Sequence, residues 1–184
     1  MRAFLHDVLI TFILAIVIFF GLRVTVQTYV VHEDCMEPNF QEGQRVIANK
    51  VIYKFHEPER GDVIIVHPPA PYNQKEPPFI KRIIALPGDT IEVRNGAVYV
   101  NGSKLHEPYI KEPVNYTLNR ETVKGGYFVL GDNRNIANDS HLWGTVPRQN
   151  IIGKAWLSIW PLDKWGLTAH YPLKEQINST SNNK

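Results

Sequence analysis

The chain has 184 residues, with 20 Lys and Arg against 18 Asp and Glu and a formal net charge of +2. That length holds one domain of ordinary size plus a short appended segment, and so balanced a charge gives no footprint for nucleic acid. A single Cys excludes an intrachain disulfide, and there is neither a phosphate-cradling GxxxxGK run nor a paired Cys/His spacing that would hold zinc.

The first element is apolar. Val8 to Leu22 carries no charge, and Phe4–Leu22 is long enough to cross a bilayer if Asp7 or Arg23 lies at an interface. A cleaved secretory signal is the competing reading. The small-x-small residues that such a site needs are missing after Leu22. The apolar character resumes after Arg23 and runs to Val31, so the span can also slide to include Val24 and Val26. Arg2 and the terminal amine favour a cytoplasmic N-terminus, which puts the remaining chain outside.

Beyond residue 31 the pattern is short and β-like. Arg45–Ala48, Asp62–Val66 and Ile80–Ile84 are rich in β-branched residues and bounded by Gly, Pro or Asp. Thr90–Arg94 and Ala97–Val100 flank Asn95-Gly96, the signature of a two-residue type I′ hairpin. Tyr127–Leu130 and Ile151–Ile159 supply later strands. The prolines from Pro68 to Pro78 predict an exposed loop, and the polar stretch from Leu105 to Lys124 predicts a lobe inserted in the β core. The expected organisation is an anchor over 1–27, a β-rich domain over 28–173 with its lobe at about 101–126, and a frayed polar tail over 174–184. The fold class is mainly β: an N-terminal transmembrane helix followed by an antiparallel β domain.

Separate blocks of this sequence resemble the type I signal peptidases, or bacterial leader peptidases. Cys35-Met36-Glu37-Pro38-Asn39 stands at the family's Ser-Met-x-Pro-Thr, and Arg60-Gly61-Asp62-Val63 at its Arg-Gly-Asp block. Lys81 to Asp89 matches the run that opens Lys-Arg and closes Pro-Gly-Asp. Gly131-Asp132-Asn133-Arg134, with Asp139-Ser140, matches the last block. The resemblance implies removal of signal peptides after small-x-small sites, with no metal or cofactor. Its implied partners are exported preproteins and the lipid bilayer, at the outer face of a cell membrane crossed once. In the family a Ser hydroxyl attacks and a neutral Lys takes its proton, so Cys35 stands as nucleophile and Lys81 as base. A free lysine amine titrates near about 10.4, and burial among apolar groups disfavours its charged form. Alternation along a strand puts Phe79, Lys81 and Ile83 on one face.

By the same resemblance Asp132, Asn133, Arg134, Asp139 and Ser140 buttress the site, with Arg82 or Arg134 expected to pair with Asp139. Met36, Tyr29, Val31, Phe79 and Ile80 would line shallow pockets for small side chains. Trp156, Trp160 and Trp165, with Leu162 and Leu167, suit a bilayer surface, although Trp156 fits a core equally well. The chain departs from the family at Cys35, at Glu33 where Gly or Ser is usual, at Ala137 where a Ser orients the lysine, at Asn39 and at His141. Those departures keep two alternatives open: a catalytically silent relative that binds signal peptides, and a Ser/Lys enzyme carrying an introduced Cys.

Overall fold

The computed structural model describes residues 2–72 and 77–178. Helix α1 (Arg2–Thr25) holds Phe4–Gly21, a stretch of mean hydropathy 2.4 that is long and apolar enough to cross a membrane and is nowhere buried by protein. Thr11 returns its hydroxyl hydrogen bond to the carbonyl of Asp7 (2.9 Å), which satisfies that polar group within the helix. The helix runs directly into strand β1 (Val26–Val30). The apolar stretch beyond Arg23 is therefore only briefly helical. Its Val and Thr residues gain a strand partner instead, because Val26 to Val30 pair antiparallel with Asn49 to Arg45.

The remaining strands are β2 (Arg45–Asn49), β3 (Val63–Val66), β4 (Phe79–Ala85), β5 (Thr90–Arg94), β6 (Ala97–Val100), β7 (Ser103–Lys104), β8 (Leu118–Thr122), β9 (Phe128–Leu130), β10 (Ile151–Trp160) and β11 (Gly166–Leu167). Two short helices, α2 (Ser140–Trp143) and α3 (Lys174–Asn178), complete the described residues. One sheet has the order β1-β2-β10-β3-β4-β9 with β11 on β10, and the other has the order β7-β6-β5-β8. Every strand pair is antiparallel. In the larger sheet β3 and β4 are covered on both faces, which is why they read as continuous apolar runs.

Asn95 and Gly96 take φ values of 51° and 73°, as a type I′ hairpin requires. Asn101 and Gly102 repeat the device at 52° and 81° and turn β6 into β7. The same Asn-Gly dipeptide marks both turns in the sequence. The second sheet begins at Thr90, so the lobe starts earlier than the expected residue 101. Its Ile91, Val93, Val98 and Val100 pack in one cluster with Ile84 and Leu130 of the larger sheet. Leu173 and Ile177 join that cluster, which corrects the expectation of a frayed tail from 174. An apolar residue on each side of the turn into α3 docks it on the core. Residues 73–76 of the proline-rich loop and 179–184 of the tail lie outside the described residues.

His170 fastens the chain's last crossing to the sheet. Its Nδ1 accepts the Val63 N–H at 3.2 Å, beside the Lys154–Asp62 ion pair (2.6 Å). Burial, reinforced by the Lys154 charge, lowers the His170 pKa to about 4. The folded state therefore binds this proton less readily than the unfolded chain. The stability it supports is complete above the ordinary value of 6.5 and falls as pH drops from there towards 4. Thermal unfolding between pH 7.5 and 5 should show a shallower decline in melting temperature for His170→Gln than for the parent chain.

Candidate active site

Cys35 sits on a tight turn closed by Glu37 N–H to the Asp34 carbonyl (3.2 Å) and Asn39 N–H to the Met36 carbonyl (3.0 Å). On its β9 side β4 is paired only from Arg82 to Ala85, and the turn lies beside the unpaired start of that strand. Cys35 Sγ is 3.8 Å from the Ile80 carbonyl oxygen, and the Lys81 amine donates to Sγ at 3.0 Å. Both residues are almost wholly buried, Cys35 at 2% and Lys81 at 1% exposure. Lys81 stands opposite Ile64 of β3, and its amine lies 5.0 Å from the centre of the Phe79 ring. Among the described residues no carboxylate comes within ion-pair distance of that amine.

Cys35 packs in one cluster with Met36, Val31, Ile80 and Ala137, and Tyr29 of β1 leans on it half-buried. Phe79 belongs to the neighbouring cluster with Ile64 and Ile83, because successive residues of β4 face opposite ways. The structure thus gathers Cys35, Lys81, Met36, Val31, Ile80 and Tyr29 at the turn, with Phe79 beneath the amine.

The next residue of the strand, Arg82, points away from Lys81's surroundings and is fully buried. Its Nε and Nη2 donate to the two carboxylate oxygens of Asp132, each at 2.8 Å. Nη1 donates to the Gly61 carbonyl, and the guanidinium lies over Tyr109 (4.3 Å) and Tyr171 (5.2 Å). Burial raises the Asp132 carboxyl above its ordinary pKa, and the Arg82 guanidinium opposes that rise. Asn39 Nδ2 donates both to Asp132 (2.8 Å) and to the Tyr109 carbonyl (2.7 Å), so the residue after Pro38 belongs to the network.

Asp139 does not pair with Arg82 or Arg134. Its Oδ2 accepts the Gly131 N–H (2.9 Å), and its Oδ1 faces His141 Nδ1 (2.7 Å) while capping α2. Both arginines have other carboxylates in reach, and Asp139 is occupied by its own turn. Arg134 pairs in two-pronged fashion with Glu107 (2.5 and 3.0 Å) and donates to the Gly131 carbonyl. Glu107 escaped the sequence reading because it lies in an irregular polar stretch with no period to mark it as buried. Asn133 holds the Cys35 turn twice, by N–H to the Cys35 carbonyl (3.0 Å) and by Nδ2 to the Asp34 carbonyl (3.1 Å). Ser140 Oγ accepts the Val129 N–H at 3.0 Å. Gly131 admits no side chain, since a Cβ there would lie 2.4 Å from both the Cys35 carbonyl oxygen and the Ala137 Cβ.

Comparison with known proteins places the chain in a family. Residues 4–160 match the family model described as signal peptidase, peptidase S26. The chain belongs to that family. It is 46% identical over 155 residues to a probable signal peptidase I-1 of Synechocystis, covering 79% of each chain. It is 43% identical over 159 residues to a signal peptidase I of Leptolyngbya laminosa, covering 83% of this chain and 78% of that one. A crystal structure of a signal peptidase I from Enterococcus faecalis is 33% identical and covers 54% of this chain and 97% of the other, with a TM-score of 0.47.

Against the family pattern, three departures take structural form. Glu33 adopts φ 63° and is exposed, which explains why Gly suits the position. Its carboxylate reaches solvent rather than the buried Cys35. Ala137 fills a buried place in the Cys35 cluster and offers Lys81 no hydroxyl. His141 partners Asp139 and stacks on Tyr116 with ring centres 4.2 Å apart.

A left-handed backbone costs a non-glycine residue about 1–2 kcal/mol, so Glu33→Gly should raise stability by about 1 kcal/mol in denaturant unfolding. Asp132→Ala strands a buried guanidinium and should lower stability by about 3–5 kcal/mol in the same experiment.

Proposed function

We propose that this chain removes N-terminal signal peptides from exported proteins by acyl transfer at Cys35, with Lys81 as general base. The observation that carries the reading is the buried Lys81 amine 3.0 Å from Cys35 Sγ, in a chain of the signal peptidase family. Lys81 takes the thiol proton, and the thiolate attacks the carbonyl of the residue that ends the signal sequence. The Cys35 backbone N–H donates to the oxyanion that forms. Lys81, now an ammonium, returns the proton to the leaving amine, and the mature protein departs. A thioester to the signal peptide remains. Water then gives Lys81 a proton as it attacks the thioester, and the thiol is restored when the signal peptide leaves as an acid.

Substrate enters as an extended segment that pairs with an exposed strand edge, its small side chains meeting Met36, Val31, Tyr29, Ile80 and Phe79. Small pockets reject larger residues by clash. Arg82, Asp132, Asn133, Arg134, Asp139 and Ser140 act behind the reacting atoms by fixing the turn and the strand.

The protein is a membrane peptidase, and α1 is its span. We place the β domain on the outer face, where signal peptides present their cleavage point. Trp156, Trp160, Trp165, Leu162 and Leu167 support contact with the bilayer surface, since all five are about half exposed or more.

Cleavage of a preprotein with an A-x-A site, followed in detergent by mass spectrometry, tests the reading. The chain should cut after the second Ala, and Lys81→Ala should lower kcat/KM by about 10²–10⁴-fold. Cys35→Ser, which restores the family's nucleophile, should also cut. Silence from both the chain and Cys35→Ser would leave a signal-peptide binder in place of a peptidase.

A further inference from the structure

Lys111 lies on the connection between β7 and β8, and its amine meets the Glu37 carboxylate at 2.5 Å. Glu37 stands two residues beyond Cys35 on the same turn. The Lys111 backbone N–H donates to the Asp132 carbonyl at 3.1 Å. One residue of the lobe therefore holds the nucleophile turn and the Gly131–Arg134 loop together. The hydrogen bond to Glu37 raises the Lys111 pKa, and the charges of Glu37, Glu112 and Asp34 act in the same direction. Asp34 immediately precedes Cys35.

Acyl transfer develops negative charge on an oxygen beside the Cys35 N–H, and uncompensated carboxylates at the turn oppose it. The Lys111 side chain is 43% exposed and that of Glu37 27%. Ion pairs so placed add little to stability, so the consequence of this one falls on the geometry and charge of the turn.

We propose that Lys111 is a positioning residue for acyl transfer, pinning the nucleophile turn through Glu37 and offsetting the carboxylates of Asp34, Glu37 and Glu112. This rests on the peptidase reading with Cys35 as nucleophile. Lys111 touches neither substrate nor reacting atoms and acts through the turn.

The test uses the full chain in detergent with Lys111→Met, Lys111→Arg and Glu37→Gln. It reads kcat and KM on the A-x-A preprotein, melting temperature, and the rate of Cys35 alkylation by iodoacetamide. Lys111→Met should lower kcat about tenfold, as a small misplacement of a reacting group does, with KM and melting temperature unchanged. Lys111→Arg should keep the parent kcat. Glu37→Gln should fall between them, because Lys111 still offsets Asp34 and Glu112. Added salt should narrow the Lys111→Met deficit by screening the exposed carboxylates. Alkylation of Cys35 should slow about threefold or more in Lys111→Met, as the thiolate is the reacting form.

Parent kcat in Lys111→Met would overturn the proposal. So would an equal loss in Lys111→Arg, or a loss matched by a fall in melting temperature. If only Cys35→Ser cleaves, the same kinetic series is read in that form. If neither form cleaves, the peptidase reading has failed, and alkylation of Cys35 still decides whether Lys111 governs the turn: slowing supports it and an unchanged rate overturns it.

Discussion

The buried pair between Arg82 and Asp132 is the contact on which the rest of the site depends. Both side chains are withdrawn from water, and two hydrogen bonds of 2.8 Å join them. Such a pair recovers its desolvation cost only when the remaining donors and acceptors are also satisfied. Here they are. The Gly61 and Ala169 carbonyls take the third nitrogen, Asn39 supplies another donor to Asp132, and Tyr109 and Tyr171 cover the guanidinium. Each partner comes from a different part of the chain. The strand that carries Lys81, the loop after β9, the turn after Cys35 and the lobe are thereby fixed to one another.

Strand alternation lets two adjacent residues serve opposite purposes. Arg82 faces a carboxylate and holds the architecture, while Lys81 faces apolar groups and the Cys35 sulfur. In the proposed reaction a carboxylate beside Lys81 would favour the ammonium and remove the base. The network keeps its charged members on the other side of the strand, so rigidity reaches Cys35 and Lys81 without a carboxylate placed beside the amine. Asn133 continues the same logic by holding the Cys35 and Asp34 carbonyls with neutral donors.

Cysteine in place of serine changes the character of the dyad rather than its placement. A thiol is more acidic than a hydroxyl and, as thiolate, a stronger nucleophile. In the proposed reaction the demand falls on the second half, when Lys81 must be neutral to activate water. Glu33 is the other departure with a direct physical meaning. Its left-handed backbone is a strain that glycine would relieve, yet its exposure keeps the carboxylate out of the buried cluster.

Much of this protein is legible in its sequence. The uncharged run to Leu22 fixes the membrane span through hydrocarbon thickness, and the Asn95-Gly96 dipeptide fixes a hairpin through backbone conformation, both being local effects. The motif blocks carry the family, and with it the pairing of Cys35 with Lys81 across 46 residues of sequence. What the sequence left undecided was which charge meets which. Arg82, Arg134, Asp132, Asp139 and Glu107 offer several plausible pairings, and only the packing of β4, the Gly131 loop and the lobe selects Arg82 with Asp132, Arg134 with Glu107 and Asp139 with His141. The docking of Ile177 and the tie between Glu37 and Lys111 were hidden for the same reason. Propensity and motif act over a few neighbouring residues, whereas the partner of a buried or bridging side chain is chosen by whichever distant segment the fold brings within reach.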